Sequence, residues 1–150
     1  MKKAILVLGT LLWLLTCLTS CFKYNETNFL CDCGKVEIDK KEYIAMCVLP
    51  EEVTKNSINY LRMENHTKQN LSYGTPYTIE YFNNNNWERI PFPDNWGFED
   101  ILLHIPAGEI KEGITKLYSI VEECNEGITG KYRIIKEIEN HSLVAEFEVK

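Results

Sequence analysis

Apolar and polar positions alternate along most of this chain, and that period predicts short strands. Tyr43, Ala45, Cys47 and Leu49 interleave with Ile44, Met46 and Val48, a strand apolar on both faces that ends at Pro50. Between Ser57 and Asn65, Leu61 and Met63 share one face while Ile58 and Tyr60 share the other. Tyr77, Ile79 and Tyr81 alternate with Thr78, Glu80 and Phe82. Asn83 to Asn86 then makes a turn, because Asn tolerates positive φ, and Trp87 to Ile90 returns as a strand before Pro91 and Pro93. Ile101, Leu103 and Ile105 alternate with Leu102 and His104 and stop at Pro106-Ala107-Gly108. The stretch from Ile114 to Val121, rich in β-branched and aromatic residues, reads as a further strand. Tyr132, Ile134 and Ile138 line one face of the next, and Leu143, Ala145, Phe147 and Val149 alternate with Glu146 and Glu148 in the last. Seven or eight strands with turn chemistry between them, and no amphipathic helix, predict an all-β sandwich or small barrel.

The N-terminal segment follows other rules. Lys2 and Lys3 precede an apolar run of 15 residues, Ala4 to Leu18, and no acid occurs before Glu26. A spanning helix needs about 20 apolar residues, so the segment reads as a secretory signal. Its end, Leu18-Thr19-Ser20-Cys21, resembles the lipobox of bacterial lipoproteins. That resemblance implies a diacylglyceryl thioether on Cys21 and cleavage just before it. The chain therefore divides into a signal peptide (1–20), a lipidated N-terminus and flexible tether (21–40), and a β-domain (41–150).

Charge adds to this picture. The whole chain carries 16 Lys and Arg against 22 Asp and Glu, a net charge of −6. Removing Lys2 and Lys3 with the signal leaves a mature chain at −8. Nucleic-acid binding needs a basic face, so that class is excluded. An acidic body is also not drawn to an anionic lipid surface, so the lipid would hold the domain while its charge keeps it off the bilayer. Two or more acyl chains suffice for stable anchoring, at about 0.8 kcal/mol per buried CH₂.

From Cys47 to Val149 the chain resembles the bacterial immunoglobulin-like domain family often found in small secreted lipoproteins. The resemblance rests on ordered pieces: Asn65-His66-Thr67, Tyr73-Gly74-Thr75-Pro76-Tyr77-Thr78-Ile79-Glu80, Trp87-Glu88-Arg89-Ile90-Pro91, Ile105-Pro106-Ala107-Gly108-Glu109, Gly130-Lys131-Tyr132-Arg133-Ile134 and Ala145-Glu146-Phe147-Glu148-Val149. It implies an Ig-like Greek-key sandwich of about seven strands, and no particular activity, because that fold hosts many functions. Tyr132 would be the tyrosine of the Ig corner and Ile134 would stand in the disulfide-cysteine position; Tyr132 as an ordinary half-buried strand aromatic is the competing reading. In this topology the loops carrying Cys47 and Cys124 belong to one end of the sandwich, which allows a Cys47–Cys124 disulfide worth up to ~4 kcal/mol in the chain-entropy model. Pairing of Cys31 or Cys33 with Cys124 is the competitor.

Candidate chemistry is sparse. Cys31-Asp32-Cys33 invites a metal or redox reading, but a closed zinc site wants four N or S ligands at familiar spacings, and disulfide partners or tether thiols are the simpler account. His66, His104 and His141 fall at a strand end, within a strand and in a turn, and do not converge. No HExxH, P-loop, GxGxxG or serine-nucleophile motif occurs. Asp94, Glu99 and Asp100 lie near Trp96, yet they read as a solvated loop and not as a carboxylate pair. These features predict no enzyme, no cofactor and no metal. The segment from Asn83 to Phe98 is the binding candidate, with Trp96, Asp94, Asn95 and Arg89 as an aromatic anchor among polar groups suited to a glycan or peptide, while Trp87 and Phe98 read as core. The expected protein is thus a lipid-anchored, non-catalytic binding or accessory module of the cell envelope, facing the periplasm or the exterior. The alternatives are a structural or inhibitory lipoprotein packed on a membrane complex, and a cysteine-based metal or redox protein.

Overall fold

The computed structural model describes residues 34–125 and 129–150. In chain order the described elements are β1 (Val36–Asp39), β2 (Glu42–Leu49), β3 (Glu52–Val53), β4 (Asn59–Asn65), β5 (Leu71–Gly74), β6 (Thr78–Asn83), β7 (Asn86–Ile90), β8 (Leu102–Ile105), β9 (Ile110–Thr115), α1 (Leu117–Asn125), β10 (Gly130–Ile138) and β11 (His141–Val149). The lipobox with Cys21, and Cys31 and Cys33, lie outside the described residues.

The strands form two sheets. The first runs β1-β2-β4-β9, and the second runs β3-β11-β10-β5-β8, with β6 also on β10 and β7 on β6. The Ig-like sandwich is therefore present, with more and shorter strands than the seven anticipated. Ile44, Met46 and Val48 of β2 meet Tyr132, Ile134, Ile138, Leu143, Ala145 and Phe147 of the second sheet in one core. Alternation produces this directly: in β10 and β11 every second side chain points inward. The asparagine turn also forms as expected, with Asn84 and Asn85 at φ 47° and 64°, the double positive φ that a two-residue hairpin demands.

Two parts of the chain differ from the sequence reading. Ile114 to Val121 is not one strand; β9 ends at Thr115 and α1 begins at Leu117. Leu117, Ile120 and Val121 are its buried residues. They fall at the helical spacing i, i+3, i+4, so tertiary burial of one helical stripe overrides the β propensity of the isolated residues. The end of the supposed tether, Val36–Asp39, pairs antiparallel with β2 as β1. Its charged residues suit an edge strand with one wet face.

β5 and β6 lie end to end along the same edge of β10: Tyr73 stands opposite Ile138, and Thr78 opposite Ile135. The ladder breaks between them at Thr75-Pro76-Tyr77, where proline supplies no N–H. Lys136 fills the break. It occupies the inward stripe of β10 with Tyr132, Ile134 and Ile138 and is only 4% exposed. Its Nζ donates to the carbonyls of Gly74 (2.8 Å), Thr75 (3.2 Å) and Pro76 (3.2 Å). Three N–H bonds meet three acceptors, which is the full capacity of an ammonium. The Tyr73 ring adds a cation–π contact at 5.2 Å.

At the far end of the sandwich Asn65 joins the sheets. Its Nδ2 donates to the carbonyls of Gln69 (2.8 Å), Ile105 (2.9 Å) and Pro106 (3.0 Å). Its Oδ1 accepts from the Thr67 amide and hydroxyl. Asn65 thus ties the end of β4 to the end of β8.

Replacing Lys136 by Met leaves three carbonyls without their donor in a mostly apolar setting. The expected loss is about 2–3 kcal/mol in urea unfolding. Burial lowers the Lys136 pKa from its ordinary 10.5, so the unfolded chain binds the extra proton between the lowered value and 10.5. Lys136 therefore makes stability rise with pH across that window, and Lys136→Met should remove this contribution.

Candidate functional site: an open groove beside β9

β9 is an edge of the first sheet and β8 an edge of the second. Between them the sandwich opens into a groove of about 510 Å³. Register fixes which residues of β9 face it: Gly113 stands opposite Leu61 and Lys111 opposite Met63, so Lys111, Gly113 and Thr115 share the inward face. Leu61, Met63 and Ile120 lie beneath, with Lys136 among them, and Tyr73, Tyr77 and Leu103 line the side formed by the second sheet. A Cβ built on Gly113 meets no atom within 4 Å, so the groove is empty in front of it.

The charge of the groove opposes that of the molecule. Lys111, Lys116 and Lys136 belong to its lining, and the acid in the lining is Glu112. Glu112 is on the outward face of β9, and its carboxylate already accepts from Arg62 at 3.0 Å. Apolar residues flank the opening: Ile114 is 72% exposed on β9 and Leu102 66% exposed beside β5. Among the described residues no strand pairs with the far edge of β9.

Tyr77 connects this groove to the aromatic loop. Its ring packs edge-on against Phe92 at 5.6 Å and Phe98 at 5.0 Å. Burial pushes its hydroxyl up to about 12, and nearby Cys124 adds to the rise. Cys124 is itself a free thiol, raised by burial and then by Glu123, which makes it a poor nucleophile.

The residues anticipated for binding are placed unevenly. Asp94 and Asn95 are exposed at a turn that the Trp96 amide closes by donating to Pro93 O at 2.8 Å. The Trp96 ring is half-buried, stacked on Phe92 at 5.6 Å and 13°. Its indole nitrogen is enclosed and has no hydrogen-bond partner among the described residues. Arg89 is exposed on β7, across from Glu80, whose carboxylate belongs to Arg133 at 2.5 Å. Trp87 is not core as expected: it lies half-buried on the outward face of the second sheet, with the Arg133 guanidinium 4.4 Å from its ring centroid. Phe98 is likewise half-buried, held by Tyr77 and Phe92.

Tyr132 is fully buried between Tyr81 and Phe147, and its hydroxyl accepts from Asn125 Nδ2 at 3.1 Å. The histidines do not gather: His66 stacks on Tyr43 and meets Glu64 at 2.8 Å, while His104 meets Ser72 at 3.1 Å. No group of three or more His, Cys, Asp or Glu suited to a metal occurs among the described residues.

Neither disulfide anticipated for Cys124 forms, since its thiol is free. Cys47 is disulfide-bonded, but not to Cys124. The reason is which face each residue occupies. Cys47 clusters with Ala45 on the outward side of β2, while Cys124 packs against the central core from α1.

Lys136 and Gly113 were not singled out from the sequence. The signal for Lys136 was a lone Lys on the stripe Tyr132, Ile134, Ile138. The signal for Gly113 was a glycine within a stretch of strand period.

Unfolded tyrosine ionises near 10, whereas folded Tyr77 holds its proton to about 12. Stability is therefore lost as pH rises from 10 toward 12, and Tyr73 and Tyr132, both raised by burial, act with the same sign. Phenolate absorbance should show a late step that Tyr77→Phe removes, and the Tyr77→Phe chain should lose less stability over that interval.

Comparison with known proteins places this geometry. The sequence matches the bacterial Ig-like domain family over residues 40–148. No curated protein matches it. Among solved structures it is similar to the Pseudomonas fluorescens alkylpurine DNA glycosylase AlkC bound to DNA containing an abasic site analog, at 12% identity and a TM-score of 0.37. That match covers 71% of this chain and 30% of the glycosylase, so the chain spans under a third of that protein's length. Proteins with bacterial Ig-like domains are commonly extracellular or envelope-associated, and no helix among the described residues is long and apolar enough to cross a membrane. The residues matched take in both sheets, the groove and the aromatic loop, and the chain belongs to the bacterial Ig-like domain family.

Proposed function

We propose that this protein is a non-catalytic accessory module of the cell envelope, held by lipid on Cys21, that binds an extended segment of a partner protein along β9. The observation that carries the binding role is the free edge of β9 beside an empty groove. Unpaired strand edges recruit further strands, and an added strand gains main-chain hydrogen bonds while alternate side chains enter adjoining pockets. A strand laid against β9 would continue the first sheet over Tyr73 and Leu103. Its inward side chains would be apolar, to cover Leu61 and Met63. Its charge would be acidic, because Lys111, Lys116 and Lys136 leave the groove positive. Lys136 has spent its three donors on carbonyls, so it acts through charge alone, and Lys111 and Lys116 are the groups available to pair with a carboxylate. The anchor rests on Leu18-Thr19-Ser20-Cys21.

Anchoring is tested by fractionation. The wild-type chain should sediment with membranes and the Cys21→Ala chain should not; equal sedimentation of both would remove the lipid from this account.

Binding is tested with a labelled eight-residue peptide of alternating valine and glutamate, titrated into the detergent-solubilised lipidated chain. Anisotropy should report saturable binding that weakens about tenfold or more in Gly113→Phe, whose ring fills the groove. Replacing glutamate by glutamine in the peptide should weaken it as well. Undiminished binding to Gly113→Phe, or no binding at all, would reject β9 as the site. A glycan retained by wild type and lost on substitution of Trp96 would favour the aromatic loop instead.

A further inference from the structure

β9 carries a glycine that the described structure does not require. Gly113 lies in the interior of the strand Ile110–Thr115. Among the described residues the glycines with positive φ are Gly34, Gly108 and Gly130, so Gly113 answers no left-handed turn. The β4–β9 ladder runs unbroken past it, from Asn59 opposite Thr115 to Glu64 opposite Ile110, so it marks no bulge either. Nor does packing exclude a side chain. A Cβ at Gly113 meets no described atom within 4 Å, whereas one at Gly130 would press on the Tyr81 ring at 2.9 Å. Glycine inside a strand weakens it; with bulge, turn and packing set aside, the remaining use of such a position is close approach by a ligand or another backbone.

Register says what would meet it. Directly opposed residues of neighbouring strands share a face of the sheet. A strand laid on the open edge of β9 would therefore aim one side chain over Gly113, toward Leu61 on the strand beyond. Lys111 and Thr115 cover their own stretches of β9, so only at Gly113 can the incoming side chain reach across. Tyr73, Tyr77 and Leu103 form the facing wall. A flat ring suits this space. It can lie across the glycine, as aromatic residues do in cross-strand pairs with edge glycines, and meet the tyrosine rings in the offset or edge-on geometry that aromatic pairs favour. Alanine and valine end at Cβ or one bond beyond it and leave the space over Gly113 unfilled.

We infer that Gly113 is a specificity-determining residue, and that the acidic extended segment bound along β9 carries an aromatic side chain at the position facing it. This rests on β9 being the docking edge and adds the register: the ring sits at Gly113, and the segment's carboxylates meet Lys111 on one side and Lys116 on the other. A second copy of this chain does not satisfy the site. Its own β9, Ile110–Thr115, holds no aromatic residue and would bring a further lysine to a groove that is already positive.

The test uses the detergent-solubilised lipidated chain and three labelled peptides: alternating valine and glutamate, and the same sequence with one inner valine replaced by alanine or by phenylalanine. Affinity for the wild type should rise from alanine to valine to phenylalanine, with about tenfold between the last two. Gly113→Val places a side chain in the space and raises β propensity. It should melt no lower than wild type and bind the valine and phenylalanine peptides equally, and Gly113→Ala should show an intermediate preference. A glycine of purely structural use would leave the preference unmoved. If the valine peptide binds and phenylalanine adds nothing, or if the preference survives in Gly113→Val, the role of Gly113 falls while docking on β9 stands. If no peptide binds, both fall. A peptide-free chain that dimerises with rising concentration, and ceases to in Gly113→Val, would give the edge to a second copy and overturn the assignment.

Discussion

An ammonium ion inside a β-sandwich governs how the rest of this domain is arranged. Lys136 stands where the inward stripe of β10 calls for an apolar side chain, and it stays because the strand beside it is broken. Thr75-Pro76-Tyr77 cannot continue the ladder, and the carbonyls of Gly74, Thr75 and Pro76 turn toward the Lys136 ammonium. Burying one unpaired carbonyl is costly; burying three is tolerable only with a donor of matching valence. The ammonium in turn is acceptable in the interior only because all three of its protons are bound. Each side of the arrangement removes the penalty of the other. The outcome is a sheet whose outer half is split into two hairpin-like pairs, β5 with β8 and β6 with β7.

That split makes the groove possible. β5 and β8 form their own wall, clipped to β4 through Asn65 at one end. The first sheet stops at β9 opposite that wall, and Gly113 leaves the space between them unfilled. The same break sends Tyr77 inward, where it seats Phe92 and Phe98 and so ties the aromatic loop to the core. The segment that reads as a displayed binding loop is therefore partly structural. Its rings largely face one another, and its exposed tip is the pair Asp94 and Asn95.

The strands were legible wherever period-2 alternation decided burial, as in β2, β6, β10 and β11. Alternation fixes which face is wet, and burial of one face fixes the register. It failed where a second period was embedded in residues of β propensity: Leu117, Ile120 and Val121 are as good a helical stripe as they are a strand, and only packing against the core separates the two. β1 was hidden by its charges, since an edge strand with a wet face carries no apolar run. The groove was not legible at all. It is built from a glycine, an edge and a lysine whose meaning depends on a break in a neighbouring strand, and none of these has a local signature. The cysteines show the same limit, because sequence spacing does not reveal that Cys47 and Cys124 belong to opposite sides of a sheet.

Strand order carries one more consequence. In the first sheet β1 and β9 are the two outermost members, with β2 and β4 between them. Three strand spacings, about 14 Å, separate them. The chain enters along one border of the sheet and the groove opens along the other. β1 takes up one flank, while on the opposite flank no described strand covers β9. The domain has a back and a front before any partner arrives, and a pull on its leading segment would orient the groove away from the point of attachment.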